Sequence, residues 1–407
     1  MSELKGMHYL KNKLAMKQPR VRTRYDYYEM KHTVEDFGIS TPPDLRYFMG
    51  ALGWCARAVD TLEDRLVFRE FTNDIYEIND IYRDNNKDIL FDAAMTGALI
   101  SSCDFIYISV ADDGSPRLQV IDGYNATGIL DPITYLLREG YAVLERDSDG
   151  SVIMEAYMTP DVTEIYVKGR LQQSVPNKAG YCLLVPIVYR PDAVRPFGHS
   201  RISRACMSIT NSALRTIKRS EVAAEFFSYP QKYVTGLSND AERMDNWKAT
   251  MASMLAFTKD DDGDHPIIGQ FQQQSMTPHM DQLRMFAALF AGETGMTMDD
   301  LGFVSQNPSS SEAIKASHET LRLIARKAQR DFEIGFLNAG FVAACVRDKR
   351  AYTRDLLADT HARWAPLFEP DMAALSGLGD GVLKINQALP GFIDDAVMED
   401  MTGIMKE

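Results

Sequence analysis

The sequence predicts an α+β fold: helices first, then an antiparallel β segment, then long two-faced helices. Two observations carry this. Apolar residues recur at helical spacing in residues 45–66, 201–227 and 310–345. Between residues 104 and 190 the pattern changes to short runs rich in β-branched and aromatic residues, separated by Asp-Gly turns. With 407 residues, the chain can bury a large core and form two or more domains.

The elements follow in order. Residues 25–43 form an irregular lead-in to "TPPDLRYFMG", where Thr41 caps, Pro42 fits a first helical turn and Asp44 completes a capping box. Leu45, Phe48, Leu52, Ala56, Val59, Leu62 and Leu66 then mark one helical stripe, and a second helical stretch covers 73–101. "DFIYISV", "PRLQVI", "YAVLER", "VIMEAYM", "TEIYV" and "YCLLVPIVY" read as strands. Their turns include Asp112-Asp113-Gly114 and Asp147-Ser148-Asp149-Gly150.

After "RPFGHSRIS" a long helix runs over 201–227, with Ile202, Cys206, Ile209, Ala213, Ile217, Ala224 and Phe227 on its apolar face. Residues 228–277 read as a small inserted unit: a strand at "KYVTG", a helix at 240–256, the acidic turn "KDDDGDHP" and a strand at "IIGQF". A helix at 278–293 leads into the loop 294–309. Ser309 and Glu312 then form a capping box that starts a helix over 310–345. Ile314, Leu321, Ala325, Ala328, Phe332 and Phe336 form its buried stripe. Lys315, Glu319, Arg322, Arg326 and Arg330 form a charged stripe, either a solvated face or a subunit contact using inter-chain ion pairs. The last sixty residues read as shorter helical pieces.

Net charge is −13, which disfavours a general nucleic-acid-binding surface, because phosphate affinity comes from clustered Lys and Arg. The charge is uneven: residues 1–24 hold Lys5, Lys11, Lys13, Lys17, Arg20, Arg22 and Arg24 against the single acid Glu3. This basic arm reads either as a solvated, disordered terminus or as a segment that meets nucleic acid or an acidic partner. Five widely spaced cysteines, at 55, 103, 182, 206 and 345, fit reduced, mostly buried thiols. The first thirty residues lack the apolar core of a signal peptide. The apolar runs 93–103 and 179–189 are too short to span a bilayer, so a soluble protein with no membrane partner is expected.

Motifs for catalysis are missing. There is no GxxxxGK[ST], no HExxH and no GxSxG, and "GLGDG" at 377–381 does not match GxGxxG. Asp60, Glu63 and Asp64 share a helix face and form a candidate metal cluster. Arg57 and Arg65 flank them, so an ion-paired surface is preferred. "DDDGD" at 260–264 departs from an EF-hand loop at Thr258 and Gly269 and reads as a solvated turn. No catalytic residue, cofactor or metal is expected. Residue by residue, the chain reads as a non-enzymatic α+β structural protein.

Five segments, in order, resemble the portal proteins of tailed bacteriophages of the long-tailed siphophage type. They are "YDYYEMKHTVEDFGISTPPDLR" (25–46), "ARAVDTLEDRLVFREF" (56–71), "FGHSRISRACMSITNSALRTIKRSEVAAEFFSYPQKYVTG" (197–236), "SMTPHMDQLRMFAALFAGETGMTMDDLGF" (275–303) and "NPSSSEAIKASHETLRLIARKAQRDF" (307–332). They resemble the family's Tyr-Tyr opening, Val-Asp-x-Leu-x-x-Arg-Leu helix, Gly-x-Ser-x-Ile turn with Pro-Gln strand, Leu-Gly turn and Asn-Pro-x-Ser-x-Glu-Ala-Ile segment. One departure stands out. Met296-Thr297-Met298-Asp299-Asp300 replaces a turn that often contains Pro, which predicts a looser turn.

The resemblance implies a portal-like fold: a helical and antiparallel-β wing (25–200), two stem helices (201–227 and 278–293) flanking a small α/β clip (228–277), a tunnel loop (294–309), a long helix (310–345) and a helical crown and tail (346–407). It implies a homo-oligomeric ring, commonly of twelve subunits, at one capsid vertex of the virion, assembled in the host cytoplasm. Double-stranded DNA would pass through its channel. The terminase, which would carry the ATPase, the head–tail adaptor, the major capsid protein and scaffold would be its partners. Met296, Thr297, Met298, Asp299, Ser305, Gln306 and Asn307 would be the tunnel-loop residues near DNA, with Gly302–Ser309 at the narrowest zone. Arg204, Arg215, Lys218 and Arg219 are the stem candidates. Duplex DNA carries one negative charge per ~1.7 Å of axis, so an acidic or mixed channel lets it slide, while a few basic residues grip it. A metal-dependent nucleic-acid hydrolase using Asp60, Glu63 and Asp64 is the alternative from another class, and a virion adaptor is a third; adaptors tend to be much shorter.

Overall fold

A computed structural model describes residues 4–34, 50–228, 232–235, 267–270, 275–303, 311–367, 372–402 and 404. The chain divides into two compact units. One comprises Met1–His32, Gly53–Met207 and Gly292–Glu407; the other comprises Thr33–Leu52 and Ser208–Ala291.

In the first unit the architecture is mixed helix and antiparallel sheet. Strands β2 (Cys103–Val110), β3 (Pro116–Ile121) and β9 (Leu184–Val188) form a three-stranded sheet with β2 in the centre. Strands β4 (Ala126–Leu130), β5 (Leu137–Arg146), β6 (Val152–Met158), β7 (Val162–Val167) and β8 (Arg170–Pro176) form a five-stranded meander. Strand β2 is buried on both faces, which is why it reads as an unbroken apolar run. Its alternate residues split two ways. Cys103, Phe105 and Tyr107 enter the core shared with Leu137, Ala142, Ala156 and Met158 of the larger sheet. Asp104 lies on the opposite face, against Gly97 of helix α4 (Lys87–Ser101).

A second core is aromatic. Phe91 of α4 stacks on Phe68 of β1 (Phe68–Thr72) at 4.2 Å between ring centroids and meets Phe336 at 4.0 Å. Tyr82 of α3 (Ile78–Asp84) joins them, and its buried hydroxyl donates to the Phe336 carbonyl at 2.5 Å. Phe336 lies on the helix Glu319–Arg347, whose Leu321, Ala325, Ala328 and Phe332 are buried as their spacing predicts.

Several expectations are corrected. The first helix, α2, spans Trp54–Glu63, and residues 50–53 are not helical; Leu45 and Phe48 lie outside the described residues. The stretch 73–101 is two helices, broken where Asn86 takes a left-handed φ of 52°, a conformation Asn tolerates. Strand β1 falls between the helical stripe that ends at Leu66 and the stretch 73–101, where no strand is expected. It pairs antiparallel with β12 (His361–Trp364), in a region read as wholly helical. "GLGDG" lies inside the helix Met372–Ala388, one of the helical pieces expected there.

The basic arm is not a solvated tail over its described length. Residues Met7–Tyr28 form helix α1. Leu10 and Leu14, one turn apart, pack on Tyr141 and Val143 of β5. Two buried carboxylates hold its start: Glu139 accepts the backbone N–H groups of Lys5 and Gly6, each at 2.8 Å, and Glu155 accepts Lys11 Nζ at 2.7 Å.

The second unit holds most of helix α5 (Arg204–Ser228) and of helix α6 (Thr277–Thr294). The Thr216 hydroxyl of α5 donates to Gln282 Oε1 of α6 at 3.1 Å. Between these helices in sequence, β10 (Lys232–Thr235) pairs antiparallel with β11 (Ile267–Gln270), Lys232 opposite Gln270. The helix expected at 240–256 and the acidic turn lie outside the described residues.

Candidate channel and subunit-contact surfaces

The candidate tunnel segment begins where α6 ends. Gly295 takes a φ of +70° and approaches the next helix so closely that a Cβ there would lie 2.8 Å from Ile324 Cδ1 and 3.0 Å from Thr320 Cγ2. Met296 is buried rather than presented to solvent, whereas Thr297 and Met298 are half-buried and Asp299 is exposed. The turn expected to be loose is closed by its own side chains. Asp300 Oδ2 accepts the Thr297 N–H at 2.8 Å and the Thr297 hydroxyl at 2.9 Å, and the Asp300 N–H donates back to Thr297 Oγ1 at 3.2 Å. This reciprocal Thr-x-x-Asp cap starts the short 3₁₀ turn Asp299–Leu301. Gly302, at φ +88°, ends it, and the Phe303 N–H returns to the Met298 carbonyl at 3.0 Å. Ser305, Gln306 and Asn307, with the Ser309 cap, lie outside the described residues.

The helix expected over 310–345 is two helices, α7 (Ser311–Ser317) and α8 (Glu319–Arg347). The break falls at His318, whose Nδ1 lies 3.8 Å from Asp300 Oδ2. The junction therefore sits on the capped turn. The break also separates Ile314 from the buried stripe, and Ile314 is exposed. Along the charged stripe, Lys315, Glu319, Arg326 and Arg330 are exposed and Arg322 is half-buried. Glu319 and Arg322 form a two-pronged ion pair within the chain, at 2.7 and 2.6 Å.

The stem candidates differ in accessibility. Arg204 is exposed, Arg215 and Arg219 are half-buried, and Lys218 is buried. Arg215 Nη2 donates to Ser212 Oγ at 3.1 Å. The base of the helix pair is fixed in the first unit. There Arg201, itself buried, donates from Nε to the Ala58 carbonyl at 3.1 Å and from Nη2 to the Thr294 carbonyl at 2.5 Å. Ser203 Oγ donates to Glu293 Oε1 at 2.8 Å. The sequence reading missed Arg201; its signal was a lone basic residue between apolar Ile202 and the Gly-His-Ser turn.

Asp60 Oδ1 accepts the Tyr28 hydroxyl at 2.9 Å, and Arg57 turns away to the Asp300 carbonyl at 3.4 Å. Burial, then the charges of Asp92, Asp64 and Asp60, push the Glu63 carboxyl up to about 7. Among the described residues no group of three or more His, Cys, Asp or Glu side chains is placed to hold a metal ion. All five cysteines are buried free thiols. No helix among the described residues is long and apolar enough to cross a membrane.

Fold and surfaces together describe a mixed helix and antiparallel-sheet protein built around long helices. Its sequence is similar to phage portal proteins. It is 24% identical over 337 residues to the portal protein of Mycobacterium phage L5, covering 76% of this chain and 67% of that protein. It is 24% identical over 326 residues to the portal protein of Mycobacterium phage D29, covering 74% and 66%. The chain thus spans about two thirds of the length of these relatives. Among solved structures, it aligns with a chain of the neck of a native gene transfer agent particle with C12 symmetry, at a TM-score of 0.47 and 14% identity over 87% of this chain and 90% of that one. A chain of the neck of the empty particle aligns at 0.45 and 14%, over 91% and 96%. No protein-family model matches the chain.

Proposed function

We infer that this chain is the subunit of a portal ring at the unique capsid vertex of a phage-like virion, through which double-stranded DNA is packaged and ejected. It is a structural virion component and not an enzyme. The observation that carries this reading is the similarity to two phage portal proteins over about three quarters of the chain.

The finer assignment is also a proposal. Residues 25–200 are the wing, 201–227 and 278–293 the stem helices, 228–277 the clip, 294–309 the tunnel loop and 310–407 the long helix and crown. Two long helices that flank a segment with paired strands at its two ends support the stem and clip. The capped turn after α6 supports a tunnel loop with a rigid root, from which Thr297, Met298 and Asp299 approach DNA. Arg204, the exposed stem cation, is the first candidate to touch it. Lys315, Arg326 and Arg330 meet the neighbouring subunit. Twelve copies form the ring, with the terminase and head–tail adaptor docking at the clip, and the capsid protein and scaffold outside.

Negative-stain images of the purified chain test the central claim: rings with a central hole are expected. A strictly monomeric particle across a wide concentration range overturns it.

A further inference from the structure

The basic helix α1 places four cations on one stripe. Lys13, Lys17, Arg20 and Arg24 recur at i, i+4, i+7 and i+11 and line a cavity of about 360 Å³. Arg195, from the loop after β9, lines the same cavity. Ser101, Ser102 and Thr127 also line it, and Phe197 gives it an apolar wall.

The partners of these cations are neutral. Lys13 Nζ donates to the Gly128 carbonyl at 2.6 Å and lies 4.6 Å from the Phe197 ring centroid. Lys17 Nζ lies 5.2 Å from the Phe105 ring centroid, and Arg24 Nη1 donates to the Ser101 carbonyl at 3.0 Å. Among the described residues, none of the five forms an ion pair with a carboxylate. The acids that act on Lys17 are engaged by other donors. Asp104 accepts the Ser101 hydroxyl at 2.8 Å and the Gly123 N–H at 2.9 Å. Asp122 accepts the N–H groups of Tyr124 and Asn125. Burial, then the charge of Lys17, pushes the Lys13 ammonium down to about 8. Burial, then Arg20 and Arg195, pushes Arg24 down to about 10. Positive charge is crowded and desolvated here, and among the described residues no carboxylate pairs with it directly.

We propose that this cavity binds a phosphate-type oxyanion, gripped by Arg20, Arg24 and Arg195 at its mouth with Lys13 and Lys17 behind. A tetrahedral phosphate-type oxyanion offers several acceptor oxygens to guanidinium forks, which bind it through two parallel charge-assisted hydrogen bonds. The phosphate has two possible sources, the free ion or the backbone of DNA, and competition separates them.

The test is calorimetric titration of the full purified chain with inorganic phosphate, at ionic strength held constant with chloride. It is independent of ring formation. Saturable binding with a Kd of roughly 1 mM or tighter is expected, corresponding to about −4 kcal/mol. The double variant Arg20→Gln/Arg195→Gln, at two exposed positions, weakens it about tenfold or more, the loss expected of two charge-assisted contacts. Arg138→Gln, outside the cavity lining and paired with Asp131, leaves it unchanged. A short DNA duplex that displaces phosphate from the wild type, but not from the double variant, identifies the backbone as the source; a duplex that does not displace it identifies the free ion. Absence of saturable phosphate binding, or equal affinity in the double variant, overturns the proposal.

Discussion

Arg201 Nη2 donates to the carbonyl oxygen of Thr294 at 2.5 Å, joining a residue three positions before one long helix to the last residue of the other. The same guanidinium reaches the Ala58 carbonyl, so one buried cation satisfies two backbone acceptors from separate parts of the chain. Replacing it removes a charged hydrogen bond from each. Arg201→Leu is expected to cost about 3 kcal/mol, the range for losing a buried charged hydrogen-bonding group. Arg201→Lys recovers only part, because an ammonium lacks the planar fork. Equilibrium urea unfolding measures both, and a loss under about 1 kcal/mol for the Leu variant contradicts the role given to Arg201.

Gly340 tests packing against propensity. A Cβ there would lie 2.1 Å from Ile78 Cγ2 and 3.0 Å from Tyr82 Cε2, where α3 crosses α8. In an open helix, Gly→Ala stabilises by roughly 1 kcal/mol. Here Gly340→Ala is expected to destabilise by about 2 kcal/mol, because the core has no room for the methyl group. Adding Ile78→Ala, which deletes the clashing Cγ2, should make the double variant lose less than the sum of the two single losses; simple additivity of the two variants would place the clash elsewhere.

Asp104 gives a signed pH effect. Burial, then Asp122, raises its carboxyl to about 7 in the folded chain against 3.8 for an ordinary Asp. The folded state therefore keeps a proton that the unfolded state has released. Its contribution to stability is fully present below about pH 4 and is lost as pH rises towards and through about 7. Asp104→Asn removes this titration. Relative to wild type, the variant should gain on the order of 2 kcal/mol between pH 5 and pH 8 in thermal unfolding. A constant difference across that range would show that Asp104 ionises normally.

The capped turn bears on the inferred function. Thr297→Ala with Asp300→Ala removes the reciprocal cap while leaving buried Met296 in place. Ring assembly is expected to persist, with DNA packaging or retention falling several-fold. Normal packaged DNA length and yield in the double variant would detach this turn from the channel.

Legibility in the sequence tracked local periodicity. Strand β2 and helix α8 announce themselves because their burial repeats at the strand and helix periods. Strand β8 does not: every residue of it is exposed, so no alternation exists to read. Strand β1 lacks a turn signal before it, and its partner is remote. Asn86 and His318 break helices inside runs whose apolar spacing continues across them. The charge of the first 24 residues was visible, but its docking was not, because Leu10 and Leu14 find Tyr141 and Val143 only after folding. For the channel candidates, sequence marked the segment but could not tell buried Met296 and Lys218 from exposed Asp299 and Arg204.

The pairing of β1 with β12 has a consequence for biosynthesis. Thr72 and His361 share a hydrogen bond across 289 positions. At a synthesis rate of about 5–20 residues per second, the ribosome needs roughly 15–60 s to deliver the second strand after the first. During that time β1 is an unpaired edge, and the aromatic core beneath it lacks Phe336 and Trp364. Folding of the first unit must therefore wait for nearly the whole chain, and nascent chains carry an exposed, sticky strand that chaperones have reason to cover.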